Sequence, residues 1–257
     1  MERAEVLGIG IDTASEVELR QALVLGVSPS RLVCTTAVKS VELVRTCVAA
    51  SVSIVLDSKD ELDRVAAVAT AQGRIASVIF RLSGFRVDRG ELDSRFGVHP
   101  DDVPALADSI ATRPSGGGLR LDGLHFHLDG YSASHRAAGL RRSLTLADEL
   151  RDRRHPITSI DMGGGFPMRY VDDPEEWRAF RLALDAALLG RRPPITHAND
   201  GLGRLAVGGH VVGDLGLYPY YQDPVGPGWQ AGILETSSGA GQGTEIPRAC
   251  PEMRAGS

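Results

Sequence analysis

The sequence predicts a parallel α/β fold, and two observations carry that prediction. Short β-branched runs alternate with longer amphipathic stretches, and two of the helical stretches open on a serine followed three residues later by glutamate. The alternation is the pattern of parallel strands joined by crossover helices. The S-x-x-E pattern is a capping box, in which the serine oxygen and the glutamate carboxylate satisfy the first helical N–H groups.

Taken in order, six strand-like runs lie at residues 6–11, 31–35, 52–57, 76–82, 119–127 and 159–162. The helical stretch 15–25 starts at Ser15 with Glu18 in the box; 58–72 repeats this with Ser58 and Glu61, and its Leu62, Val65, Ala66 and Ala69 recur at helical spacing. Further helices are predicted at 39–49, 104–111 and 134–151. Right-handed crossovers then set successive strands side by side, in an open doubly wound sheet or around a barrel, and six units do not close an eight-stranded one. After Tyr170 the pattern weakens: 175–189 reads as a helix and 193–232 as irregular chain with two short strands around Leu205 and Val211. The final residues, rich in Gly, Ser, Pro and Ala without apolar periodicity, are expected to be disordered.

At 257 residues the chain has room for one large α/β domain or two small ones. A formal net charge of −5, with no basic stripe interleaved with aromatics, excludes a nucleic-acid groove. Cys34, Cys47 and Cys250 are an odd set without a CxxC, which argues against a disulfide framework and a structural zinc site and points to the reducing cytoplasm. The longest apolar runs, such as 48–56, are too short to cross a bilayer, and MERAEVLGIGID is not a signal peptide, so no membrane partner is expected.

In a parallel α/β fold, functional groups gather at the carboxyl ends of the strands. In IDMGGGFPMRY, Gly163, Gly164 and Gly165 directly follow a strand and can turn their N–H groups toward a phosphate; a plain tight turn is the competing interpretation. In GLHFHLDGYS, His125, His127 and Asp129 alternate and share a strand face. They suit metal ligands, an imidazole lying flat on an aromatic cofactor, or a satisfied buried histidine pair. Asp12, Asp57 and Arg81 are single charges at strand ends, and Asp57 before Ser58 is read as structural.

The ordered set GIDTAS, DSKDEL, FRLSG, SRFGVHPDD, GLHFHLDG and IDMGGGFP resembles the barrel domain of the fold-type III pyridoxal phosphate enzymes, namely the ornithine, diaminopimelate and arginine decarboxylases. The resemblance covers about residues 5 to 170 and implies an incomplete TIM-barrel-like α/β fold of the alanine racemase/ornithine decarboxylase type, with about six parallel strands. It gives His127 the imidazole stacked on the pyridine ring of pyridoxal 5'-phosphate, and Gly163, Gly164 and Gly165 the cofactor phosphate. Asp12 and Arg81 match positions lining the cofactor site. Arg95 stands where many relatives have lysine, and LDGYS after His127 replaces a glycine-serine pair whose hydroxyl helps to bind phosphate, bringing the Asp129 charge nearby.

The resemblance also implies what this chain lacks. The Schiff-base lysine of the family ends the strand before GIDTAS, whereas Lys39 in TTAVKS falls one βα unit later, at a structural position, and Lys59 opens a helix toward solvent. No EPGR motif follows Gly165, and the family's β-sandwich-like domain is not recognisable. The expectation is therefore a decarboxylase-type barrel fragment that is inactive alone, with no catalytic residue assigned and no metal. Residues 1–190 form the partial barrel, 191–235 an insertion or lid-like segment, and 236–257 a disordered tail. Amino acids are the small-molecule substrates of complete relatives, and a homo-oligomer or a completing subunit is the expected partner. A noncatalytic, partner-completed module and a metal-dependent barrel hydrolase using His125, His127 and Asp129 are the alternatives.

Overall fold

The computed structural model describes residues 9–87, 90–92, 94–113 and 117–238. In chain order its first elements are β1 (Ile11–Thr13), α1 (Glu16–Val24), β2 (Leu32–Cys34), α2 (Val41–Ala50), β3 (Ser53–Leu56), α3 (Lys59–Gln72) and β4 (Ala76–Leu82). A hairpin of β5 (Phe85–Val87) and β6 (Gly90–Leu92) follows, then α4 (Val103–Ala111), β7 (Leu119–Phe126), α5 (Ala133–Asp152) and β8 (Ser159–Asp161). Six of these strands form one parallel sheet in the order β1-β2-β3-β4-β7-β8, a curled half-barrel with β1 and β8 at its edges among the described residues.

The helices start where the chemistry dictates. Ser15, Ser40, Ser58 and Ser132 each sit in extended backbone and accept a hydrogen bond from the N–H three residues on, at 3.2, 3.0, 3.3 and 3.2 Å. The Glu18 and Glu61 carboxylates reach one residue past the cap, accepting from the N–H of Ala14 at 2.7 Å and of Asp57 at 2.8 Å. Two helices stop at left-handed residues, Ser51 and Gly73.

One sheet face lies under helices and is built from Cys34, Ile54, Leu56, Val78, Phe80, Leu82, Leu124 and Phe126, all buried. The other carries an apolar layer of Val33, Val55 and Ile79. Above it, register sets Arg81 beside His125 and His125 beside Asp161. Gly123 fits this packing: a Cβ there would lie 2.4 Å from Ser159 Oγ. The curl has an electrostatic signature. A flat six-stranded sheet would separate its edge strands by roughly 24 Å, at about 4.8 Å per step, beyond the reach of charge interactions in water. In the curled half-barrel the edge strands approach closely enough for the Asp161 charge to contribute to the raised pKa of Asp12.

The chain divides into two compact units, one comprising the residues through Gly165 and from Ala231 onward, the other Phe166–Gln230. The second holds α6 (Pro174–Leu188), capped by Asp173, and a hairpin of β9 (Leu205–Val207) and β10 (His210–Val212). Gly208 and Gly209 turn that hairpin, both at positive φ. Trp177 stacks between Phe180 and Tyr220, with centroids 5.4 and 5.3 Å away.

Four points differ from expectation. The first strand is Ile11–Thr13, displaced toward the carboxyl end from 6–11, and residues 6–8 lie outside the described residues. The sequence predicted no hairpin at β5 and β6. Residues 193–232 are not irregular throughout, because α7 (Gly226–Ser238) begins there. Residues 236–238, expected to open the disordered tail, end this helix, and 239–257 lie outside the described residues. No described helix is long and apolar enough to cross a membrane.

Candidate functional site

The site is built where β4, β7 and β8 end. Arg81 is partly buried, its guanidinium 3.5 Å from Asp57 and 5.0 Å from the Phe96 ring centroid. Asp57 in turn receives the Lys39 ammonium at 3.1 Å, and Glu61 holds the same ammonium at 3.1 and 2.9 Å. Lys39 is 3% exposed. It is a structural cation committed to two carboxylates, and the backbone carbonyl of the same residue accepts from Arg64. Lys59, at the first turn of α3, faces solvent.

His125 is buried, and burial, reinforced by the charge of Arg81, pushes its pKa down to about 3, so it is a neutral imidazole. His127, just past the end of β7, is exposed, and burial of its inner side together with Arg81 and Arg136 holds its pKa below the ordinary histidine value. A neutral ring at the mouth of the strand end is suited to lie against a flat, electron-poor partner. Asp129 is exposed and accepts from the N–H of Gly130 at 2.9 Å, closing its own turn. Among the described residues no group of three or more His, Cys, Asp or Glu side chains is placed to hold a metal ion.

The three glycines behave differently from one another. The N–H of Gly163 donates to the Asp161 carboxylate at 2.8 Å and is thereby spent. Gly164 and Gly165 are exposed. Gly163 has φ +66°, and a Cβ on it would lie 2.7 Å from the Phe126 carbonyl oxygen and 2.8 Å from His127 Nδ1. Its missing side chain is therefore the space in which the His127 ring meets the glycine loop. Burial raises the pKa of Asp161, against the N–H of Gly163 and the nearby His127.

Asp12, on β1, accepts from the Thr35 hydroxyl at 2.7 Å. Although Asp12 is partly open to solvent, packing on its inner side raises its pKa to about 6, with the Asp161 charge adding to this. A carboxyl with a folded-state pKa above its unfolded value of about 3.9 binds more protons when folded, so its contribution to stability falls as pH rises through 4 to 6. Asp12→Asn should therefore raise Tm at pH 7 relative to the parent chain, and the gain should vanish toward pH 4. A difference independent of pH, or a carboxyl NMR midpoint near 4, would contradict this.

A cavity of about 360 Å³ opens beside these groups, lined by Arg81, Ser83, Ser94, His127 and Asp129 and walled by Glu91 and Leu92 of the β5–β6 hairpin. That volume lies at the lower end of small-ligand clefts, roughly 300–1,000 Å³. Arg95 is exposed, 5.4 Å from the Phe96 centroid. The structure thus brings Arg81, His127 and the glycine loop to one end of the sheet, with Asp12 and Asp161 on its two edge strands.

Sequence reasoning missed Arg136. In α5, 2% exposed, it donates to the carbonyls of Leu128 and Gly130 at 3.1 Å, Gly165 at 3.3 Å and Met162 at 3.4 Å. The available signal was an arginine among the apolar positions of SHRAAGL, which solvent-facing arginines elsewhere on the same helix obscure.

Comparison with known proteins bears on the family and the fold. The family model of the pyridoxal-dependent decarboxylases, pyridoxal binding domain, matches residues 1–188. An uncharacterized protein of Sinorhizobium fredii is 36% identical over 172 residues, covering 67% of this chain and 36% of the relative. Diaminopimelate decarboxylase of Zymomonas mobilis is 28% identical over 180 residues, covering 66% of this chain and 42% of that enzyme. This chain spans about two fifths of the length of these relatives.

Among solved structures, a variant diaminopimelate decarboxylase of Helicobacter pylori complexed with L-lysine superposes with a TM-score of 0.64 at 17% identity, covering 97% of this chain and 52% of that one. Arginine decarboxylase of Paramecium bursaria Chlorella virus gives 0.54 at 20% identity, covering 67% and 45%. At such identities the structures establish the fold alone. The family match over residues 1–188, with the strand order and half-barrel above, shows that this chain belongs to the pyridoxal-dependent decarboxylases, through their pyridoxal binding domain.

Proposed function

We propose that this chain supplies the pyridoxal phosphate-binding half of an amino-acid decarboxylase-like enzyme and does not decarboxylate by itself. The observation that carries this reading is the apposition of His127 and Gly163: the bare Cα of Gly163 makes the space in which a neutral imidazole borders the exposed Gly164–Gly165 loop.

Pyridoxal phosphate supplies a ring that takes up the electron pair left when a carboxylate departs as carbon dioxide. His127 would lie against that ring, and the N–H groups of the exposed residues Gly164 and Gly165 would receive the phosphate. Arg81 supplies positive charge at the cavity wall, oriented by Asp57. Asp12 places a carboxyl that titrates near pH 6 on the facing edge. Neither lysine of this chain is placed to bond the cofactor covalently: Lys39 is clamped by Asp57 and Glu61, and Lys59 faces solvent. The names of the relatives make diaminopimelate, ornithine, arginine and lysine the amino acids to test.

Titration of the purified chain with pyridoxal phosphate, followed by absorbance, tests the reading. Saturable binding is expected, and His127→Ala should weaken it by up to about tenfold, the scale of an aromatic stacking contact of roughly 0.5–1.5 kcal/mol. Borohydride should fix no cofactor onto Lys39 or Lys59, and none of the four amino acids should release carbon dioxide. Absent binding, or a reduced adduct on Lys39, defeats the proposal. A second reading, a module completed by another polypeptide, is supported by the parallel edges at β1 and β8. It calls for a stable complex with that subunit and no cofactor binding by the isolated chain.

A further inference from the structure

We propose that Arg136 is a positioning residue that locks the loop after β7 and the loop after β8 into one anion-receiving surface. The inference rests on the pyridoxal phosphate site above. Four of its hydrogen bonds end on backbone carbonyls, two in each loop: Leu128 and Gly130 in the first, Met162 and Gly165 in the second. These loops are far apart in sequence, and the two elements of secondary structure that carry them pair only through Gly123, Leu124 and His125. A guanidinium suits this work because its planar fork presents five donors at once, where an ammonium is a point charge.

The locking has a polarity. In a trans peptide the C=O of one residue and the N–H of the next point in opposite directions. Drawing the Leu128 and Met162 carbonyls onto Arg136 therefore turns the N–H groups of Asp129 and Gly163 to the other side. For Gly163 the outcome is visible, since its N–H meets the Asp161 carboxylate at 2.8 Å. The carbonyls of both loops are thus collected inward on a buried cation; the Gly163 N–H is taken by Asp161, and the exposed Gly164–Gly165 segment, held between the Met162 and Gly165 anchors, is left to receive an anion. Gly165 permits the approach, for a Cβ there would stand 3.0 Å from Arg136 Nη2. The Asp129 charge counts among the influences on Arg136, so the cation also offsets a carboxylate carried by the first loop.

The test compares the parent chain with Arg136→Gln, Arg136→Lys and Gly165→Ala. Without ligand, hydrogen exchange should quicken together in 127–132 and 162–165 in all three variants, with far-UV circular dichroism unchanged. With ligand, affinity for pyridoxal phosphate should fall roughly 10-fold or more, the scale of losing a supporting contact, while affinity for pyridoxal, which lacks the phosphate, should hardly change. Arg136→Lys should not rescue, because one ammonium cannot serve four carbonyls. Exchange that quickens in one loop only, or equal losses for both ligands, overturns the inference. Should the Arg136 variants fail to fold, Gly165→Ala decides by the same criteria. A parent chain that binds neither ligand overturns the proposed function and the phosphate role together, whereas a parent chain that binds both with variants unchanged overturns the role of Arg136 alone.

Discussion

Lys39→Met should lower the free energy of unfolding by about 3–5 kcal/mol, the cost of removing one partner from a buried ion cluster. The side chain of Lys39 is 1% exposed, and its partners Asp57 and Glu61 are 11% and 12% exposed. Methionine fills much of the volume, so the loss arises from two carboxylates left without their cation rather than from a cavity. Arg81, at 3.5 Å, reaches only Asp57. Lys39→Met combined with Glu61→Gln should recover a large part of the loss, since the amide oxygen can still accept from the Asp57 N–H that Glu61 now holds at 2.8 Å. Urea unfolding of the parent, single and double variants checks this. A single variant within 1 kcal/mol of the parent would show that the cluster is not a structural unit.

Gly163→Ala should both destabilise the chain by about 1–3 kcal/mol, the usual cost of a forced backbone conformation, and abolish measurable pyridoxal phosphate binding. The residue is at φ +66°, and the new methyl would meet the Phe126 carbonyl at 2.7 Å and His127 Nδ1 at 2.8 Å. The imidazole can swing away, but a carbonyl at the end of β7 cannot move without disturbing the sheet. Either adjustment separates His127 from the loop. Gly164→Ala is the control: a Cβ there has nothing within 4 Å, and its φ is not positive. It should leave stability within about 0.5 kcal/mol, the range of neutral surface changes. Equal effects from the two substitutions would sink the proposed division of labour.

Much of the fold was legible because its determinants are local. Ser15 and Ser58 cap the helices their boxes announce, and the β-branched run at 76–82 is a strand over those same residues. What escaped was held by longer-range forces. The strands of the β5–β6 hairpin are three residues each, too short to show alternation, with Gly84 and Gly90 at positive φ around the first. The helix α7 opens on GPGWQAG, a poor helical sequence, and forms where Trp229 and Ile233 are buried, so packing overrides propensity.

The site divides the same way. The family resemblance carried by the motifs singled out His127, the three glycines, Asp12 and Arg81, all at strand ends, which in a parallel sheet converge on one rim. The same resemblance demoted Lys39, which falls one βα unit after the position of the family's lysine. Only the tertiary structure could say what Lys39 does instead, which glycine N–H is already spent, and that Arg136 reaches both loops. For Lys39, and for the reach of Arg136 to the second loop, the reason is pairings across 18 to 29 residues, decided by strand register and sheet curl, whereas the Gly163 N–H bonds only two residues back, in its own turn. Periodicity and capping fix each element from its neighbours in the chain, whereas a buried charge is settled by whichever groups the fold brings within about 3 Å to solvate it.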